Sequence, residues 1–219
     1  MQVYLVRHGE MGKRSGDDYL TLYGEEQARA TGRYLADLPV TALLSSPLVR
    51  ALGTAHLIAQ EMGNRHIEVW PELREGVFRE MTSYGKQALL ADYPLALLPE
   101  DMGEQSCYYP ADTQESLRQR ARQVVRRLEE GFGESDTVVV VCHGGIISYI
   151  FHALLQMPAQ SFSFFKVEFA SISQVSLIPP QRRKGFPPLY PERAVDVVSV
   201  NDTMHLAELE RDAYPTQER

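Results

Sequence analysis

Two histidines in this chain occupy the same local context. His8 follows the apolar run Val3-Tyr4-Leu5-Val6 and Arg7, His143 follows the run from Thr137 to Cys142, and a glycine comes directly after each. Imidazole is the side chain best suited to exchange protons or attack as a nucleophile near neutral pH. A following glycine lets a ligand approach the backbone closely. Gly144 and Gly145 also open an apolar segment that reads as a helix, and the free N–H groups and dipole of a helix N-terminus favour an anion. Arg7 adjoins His8, and Arg50 falls in the first turn of another helix. Two guanidiniums, two imidazoles and a helix N-terminus brought to one small volume would make a pocket for a phosphoryl group. A zinc site is not expected from the same residues: no third ligand has suitable spacing, and two arginines repel a cation.

Such a pocket needs elements that end at one place. Gln2 to Val6 is β-branched and aromatic enough for a buried strand, and Thr137 to Cys142 is a continuous apolar run suited to a central strand covered on both faces. Thr41 to Ser45 and His66 to Trp70 read as further strands, as do 165–169, 174–178 and 194–200. Thr21 is a good N-cap for a helix whose face of Gly24, Gln27, Ala28, Thr31, Gly32 and Leu35 suits close packing on a sheet. Ser46-Pro47 reads as the cap and first position of a helix running to about Met62. Asp112-x-x-Glu115 resembles a capping box before a helix with Leu117, Ala121, Val124, Val125 and Leu128 on one stripe. Within 72–111 a helix over 82–93 is expected, with Pro94, Pro99 and Pro110 breaking up the remainder.

Strands alternating with helices predict an α/β fold: a three-layer α/β/α sandwich with a mainly parallel central sheet. Active sites of such sheets lie beyond the carboxyl ends of the strands, where both histidines are placed. The expected organisation is one domain over 1–206, a variable lid-like segment over 72–111, and an acidic C-terminal tail over 207–219.

Composition sets bounds on the partners. The 219 residues are 44% hydrophobic and 23% charged, which fits a globular domain rather than a disordered chain. Lys and Arg number 22 against 29 Asp and Glu, a net charge of −7. That balance disfavours nucleic acid or an anionic membrane as the main partner. Cys107 and Cys142 cannot build a disulfide framework, and no C-x-x-C pair occurs. Met1 to Val6 meets Arg7 too soon for a signal peptide, and 146–155 is too short and too polar to span a bilayer. A cytoplasmic address is therefore expected.

The motifs go further than the chemistry of single residues. Leu5-Val6-Arg7-His8-Gly9-Glu10 resembles the R-H-G signature of the histidine phosphatase superfamily, the phosphoglycerate mutase-like group. Further blocks resemble that family in its order: Leu20-Thr21-x-x-Gly24-x-x-Gln27-Ala28, Ser45-Ser46-Pro47-Leu48-x-Arg50-Ala51, Leu73-Arg74-Glu75, Gln114-Glu115-Ser116 with Arg120, His143-Gly144-Gly145 and Asn201-Asp202-Thr203-x-His205-Leu206. The resemblance implies a phosphoglycerate mutase-like fold and a histidine acid-type phosphatase, a phosphoric monoester hydrolase. His8 would attack phosphorus and become phosphohistidine. Arg7, Arg50, His143 and the Gly144 N–H would hold the non-bridging oxygens. Glu75 would protonate the leaving alcohol and then activate water. The arginines supply the charge that a metal supplies elsewhere, so no metal and no cofactor is expected. The implied partner is a small-molecule phosphate ester, and homodimers are common in the family.

The pattern departs from the family at the rim. Arg14, preceded by Lys13, stands where an asparagine is frequent, and both are candidates to bind a second anionic group of the substrate. Gly76-Val77-Phe78-Arg79-Glu80-Met81 stands where Trp-Glu-Gly is frequent. Three readings stay open on these residues: a phosphomonoesterase acting on a small phosphorylated metabolite, a cofactor-dependent phosphoglycerate mutase-type phosphotransferase, and a protein phosphatase or catalytically dead binding protein.

Overall fold

The computed structural model describes residues 1–12, 17–160 and 163–209. Its elements are β1 (Gln2–Arg7), α1 (Leu22–Ala36), β2 (Ala42–Ser45), α2 (Val49–Glu61), β3 (Ile67–Val69), β4 (Met81–Tyr84), α3 (Lys86–Asp92), β5 (Ala96–Leu97), β6 (Ser106–Tyr109), α4 (Gln114–Gly131), β7 (Thr137–Cys142), α5 (Gly144–Leu154), β8 (Ile172–Leu177) and β9 (Val195–Asp202). Seven strands form the central sheet in the order β5-β3-β2-β7-β1-β8-β9. The first five of these run parallel, and β8 and β9 join antiparallel at one edge. This is the mainly parallel α/β sheet that the alternation of elements predicts.

The continuous apolar strands follow from burial on both faces. Val3 and Leu5 of β1 and Val138 and Val140 of β7 pack with α4 and α5 through Ala121, Val124, Leu128, Ile147 and Phe151. Their neighbours Tyr4, Val6, Val139 and Val141 point the other way, onto Leu52, Ala55 and Ile58 of α2 and Leu35 of α1. A strand alternates its side chains between faces, so one buried on both sides must be apolar throughout. Burying each such Val or Leu contributes about 1.5–3 kcal/mol.

Several local expectations are corrected. On the small-residue face of α1, Leu35 packs with the sheet as expected, whereas Gly32 meets α2: a side chain there would lie 2.8 Å from Cβ of Glu61 and 3.0 Å from Cα of Ile58. Helix α2 begins at Val49, after Leu48, which offers no side-chain cap; the Val49 N–H instead donates to Asp17. The cap of α4 is Thr113, exchanging bonds with Ser116. In place of a helix over 82–93, β4 pairs with β6 as a separate two-stranded sheet and only 86–92 is helical. Residues 165–169 form no strand; they are an irregular loop with a role in the site. The basic residues of the Pro-rich connection after β8 are tied to acids around the end of α4, Arg182 with Glu134 and Arg183 with Glu129. Of the expected tail, 210–219 lies outside the described residues.

Candidate active site

Strands β1 and β7 pair in parallel with Arg7 opposite Cys142, so His8 and His143 are the next positions on adjacent strands. The His8 N–H donates to the Cys142 carbonyl (3.0 Å), carrying the ladder one residue further. The two rings lie with centroids 5.0 Å apart and tilted by 59°. Both imidazoles are buried. His8 has Nδ1 2.8 Å from the Gly9 carbonyl. A carbonyl only accepts, so Nδ1 carries the proton and Nε2 keeps its lone pair. His143 has Nε2 2.8 Å from the Ser46 hydroxyl, which also accepts from the Leu48 N–H.

Arginines surround this pair. Arg50, buried in the first turn of α2, and Arg7, at the end of β1, both act on the imidazoles electrostatically. Burial is the main cause that lowers the His8 pKa, to about 3; Arg50 adds to it, the Gly9 carbonyl opposes, and Arg7 contributes a smaller push. Burial likewise carries His143 well below the usual histidine value, with Arg50, His8 and Arg7 adding to the effect. Neutral imidazoles beside permanent cations are the expected outcome. Nε of Arg7, Nε of Arg50 and Nδ1 of His143 are buried without a hydrogen-bond partner. Orphaned buried donors are costly unless something accepts from them. All three belong to residues that act on one another electrostatically around His8.

Arg7 is oriented by the loop before β8. Its Nη1 donates to the Val167 carbonyl (2.7 Å), and its guanidinium carbon lies 4.0 Å from the centre of the Phe169 ring. Phe169 also lies 5.5 Å from the His8 ring. The loop is pinned from the C-terminal side, where the Asn201 side chain accepts from the Glu168 N–H and His205 contacts the Ala170 carbonyl. Arg50 is held by Asp17, whose carboxylate takes Nη1 of Arg50 (3.2 Å), the Val49 N–H (2.9 Å) and the Ser83 hydroxyl (2.5 Å). Asp17 is thus the missing cap of α2.

Glu75 reaches the same region from the irregular segment after β3. Its Oε2 accepts from the Gly145 N–H (3.0 Å), and its Oε1 accepts from Ile146 (3.2 Å) and from Gly76 (2.9 Å). Two of the α5 N-terminal donors expected to face a ligand therefore hold a carboxylate of the chain itself. Gly144 lies against Arg7, with the position of its missing Cβ 3.6 Å from Arg7 Nε. Gly9, expected to admit a ligand, serves packing: a side chain there would lie 2.4 Å from the Gly24 carbonyl oxygen. The fold therefore brings His8, Arg7, Arg50, Glu75, His143 and Gly144 to one end of the sheet. Lys13 and Arg14 lie outside the described residues. Among the described residues no group of three or more His, Cys, Asp or Glu is placed to hold a metal ion.

Sequence reasoning missed Asp17, Ser46 as a partner of His143, and Phe169. No local signal marks Asp17, because the helix start it caps lies 32 residues away.

With this geometry in place, comparison with known proteins identifies the class. The family model for the histidine phosphatase superfamily, branch 1, matches residues 3–183. The chain belongs to that superfamily, and so to a family of phosphatases and phosphoglycerate mutase-like proteins. It is 30% identical over 185 residues to a probable phosphoglycerate mutase from Erwinia tasmaniensis, covering 80% of this chain and 84% of the relative. It is 27% identical over 197 residues to the adenosylcobalamin/alpha-ribazole phosphatase of Salmonella typhimurium, covering 81% and 91%. Its fold matches a phosphoserine phosphatase mutant from Entamoeba histolytica, solved in complex with phosphoserine, with a TM-score of 0.64 at 21% identity over 94% of this chain and 98% of that one. No helix among the described residues is long and apolar enough to cross a membrane.

Proposed function

We propose that this protein is a metal-independent phosphomonoesterase that hydrolyses a small phosphorylated metabolite through phosphohistidine at His8. The observation that carries the reading is His8 itself. It is buried, its proton sits on Nδ1 against Gly9, and its pKa is pushed down to about 3, so Nε2 is an available nucleophile at any ordinary pH. The unpartnered donors of Arg7, Arg50 and His143 beside it suit the three non-bridging oxygens of a phosphoryl group. In this reading the Ser46 hydroxyl, which accepts from the Leu48 N–H, donates to Nε2 of His143 and so leaves Nδ1–H of His143 as the donor toward substrate.

In the first step Nε2 of His8 bonds to phosphorus as the phosphorus–oxygen ester bond breaks, and Glu75 gives its proton to the departing alkoxide. In the second step water attacks the phosphohistidine, Glu75 takes the water proton, and the nitrogen–phosphorus bond breaks to release inorganic phosphate and His8. General acid–base assistance of this kind contributes roughly 10²- to 10⁴-fold. The two buried free cysteines fit a reducing, cytoplasmic setting.

The test is a panel of metabolite phosphates with chelator present, comparing the native protein with His8→Ala and Glu75→Gln. We expect no turnover from His8→Ala, severe slowing in Glu75→Gln, and acid-labile phosphate on His8 in the native protein. Labelling of any other residue, or loss of activity with chelator, overturns the reading. The similarity to a probable mutase favours a second reading, phosphoryl transfer between 2- and 3-phosphoglycerate. Interconversion primed by 2,3-bisphosphoglycerate that outruns phosphate release would establish it instead.

A further inference from the structure

We propose that Asp112 is a positioning residue for Glu75, an inference that rests on the proton-transfer role given to Glu75 above. Glu75 lies in a stretch with neither strand nor helix between the short turn 71–73 and β4. Such a stretch has no ladder to hold it, yet a proton donor must stay within about 2.6–3.2 Å of its target. The backbone on both sides of Glu75 is instead tied to one buried charged cluster.

Asp112 is the centre of that cluster, with its side chain 5% exposed. Its Oδ2 accepts from Arg74 Nη1 (2.6 Å), from Arg120 Nη2 (3.1 Å) and from the Val77 N–H (3.1 Å). Its Oδ1 accepts from Arg74 Nη2 (3.2 Å) and the Ser116 hydroxyl (2.9 Å). Its own N–H donates to the Val77 carbonyl (2.8 Å). The two arginines oriented by this carboxylate then grip the chain before and at Glu75. Arg120 Nη1 donates to the carbonyls of Glu72 (3.2 Å) and Arg74 (2.7 Å), and Arg74 Nη1 donates to the carbonyl of Glu75 (3.2 Å). The backbone from 72 to 77 thus hangs from one carboxylate. Burial pushes the Asp112 carboxyl up, but hydrogen bonds from Arg74 and Val77 and the Arg120 charge outweigh it and leave it below the usual carboxylate range. The cluster stays charged and closed across the working pH range.

The arrangement gives Asp112 no contact with phosphate and a specific effect on proton delivery. Loss of Asp112 releases two guanidiniums and the Val77 N–H at once, and a displacement of the acid by about 1 Å costs on the order of 100-fold. That cost falls only on reactions that need the acid. A poor leaving group needs its oxygen protonated as the ester bond breaks, and 2,4-dinitrophenolate leaves without help.

The experiment measures kcat/KM for a series of aryl phosphates from phenyl to 2,4-dinitrophenyl phosphate, in the native protein, Asp112→Asn and Glu75→Gln. We expect Asp112→Asn to lose roughly 30-fold on phenyl phosphate and less than about threefold on 2,4-dinitrophenyl phosphate, steepening the leaving-group dependence in the same sense as Glu75→Gln. Inhibition by inorganic phosphate should be unchanged. Equal losses across the series, or no loss, overturn the positioning role. A Glu75→Gln series with no steepening overturns the reading of Glu75, and this inference falls with it; steepening in Glu75→Gln alone rejects Asp112 only. If Asp112→Asn does not fold, Arg120→Lys decides. It keeps a cation beside Asp112 but cannot span the Glu72 and Arg74 carbonyls, and it should steepen the series in the same way.

Discussion

Gly145 is the seat of Glu75. The Glu75 carboxylate accepts from the Gly145 N–H, and a Cβ on Gly145 would stand 2.5 Å from Oε1 of Glu75. No side chain fits there without moving the carboxylate. Gly145→Ala should therefore fold normally and lower kcat by on the order of 10- to 100-fold, while inorganic phosphate inhibits at the native concentration. Steady-state kinetics with product inhibition check this; a native kcat would mean that the seat does not matter to turnover.

Asp17 and Arg50 form a buried pair, with side chains 3% and 9% exposed. Burial pushes the Asp17 carboxyl up in spite of Ser83, Arg50 and Val49, so the pair is held in place at a cost. Asp17→Ala leaves Arg50 without its counter-charge and opens the first turn of α2. We expect a loss of about 3 kcal/mol in urea unfolding. Phosphate should then raise the melting temperature of the variant more than that of the native protein, because it supplies the missing negative charge. Equal phosphate-induced shifts would count against the electrostatic account.

The Phe169 ring covers the Arg7 guanidinium and touches the environment of His8. A cation–π contact of this kind contributes about 0.5–2 kcal/mol. Phe169→Leu should lower kcat/KM by roughly 3- to 30-fold, and Phe169→Tyr should keep most of the activity. Equal activity in Phe169→Leu and the native protein would reduce the ring to a packing element.

The two buried histidines set a pH dependence of stability. His8 titrates near 3 in the folded state and His143 also falls well below its usual value, whereas both take a proton near 6.5 when unfolded. The unfolded chain therefore binds more protons below about pH 6.5, and stability falls as the pH drops from there toward 3. Urea midpoints measured across that window should decline, and less steeply in His8→Asn. The same direction of shift keeps His8, the nucleophile proposed above, unprotonated, so its titration should not appear as the acidic limb of kcat/KM above about pH 4.

The parts of the fold legible in the sequence are those whose cause is local and periodic. Burial on both faces turns β1 and β7 into unbroken apolar runs, and one-sided burial gives α4 its stripe of Ala121, Val124 and Leu128. The histidines and arginines were legible because strand ends and helix starts fix their place. The segment 72–111 was not. Its strands are two to four residues long, and in the β4–β6 pair only Cys107 is buried, too little to print a period of apolar residues. The roles of Asp17 and Asp112 were hidden for another reason. A carboxylate that holds a distant helix start or loop reads in sequence like a solvated one: the Val49 N–H lies 32 residues from Asp17, and Arg74 lies 38 residues from Asp112. Ser46-Pro47 pointed to a helix start two residues early for the same cause, because the donor of Val49 is met by Asp17.

The register of β1 on β7 places His8 and His143 on one rung, with Arg7 opposite Cys142 directly beneath. Their separation is thus a property of the hydrogen-bonded ladder, and no loop length enters into it. The connections that rim the pocket can lengthen, shorten or change composition without altering the distance between the two rings. The sheet thus fixes the two rings, while whatever sets the choice of partner is left to the rim.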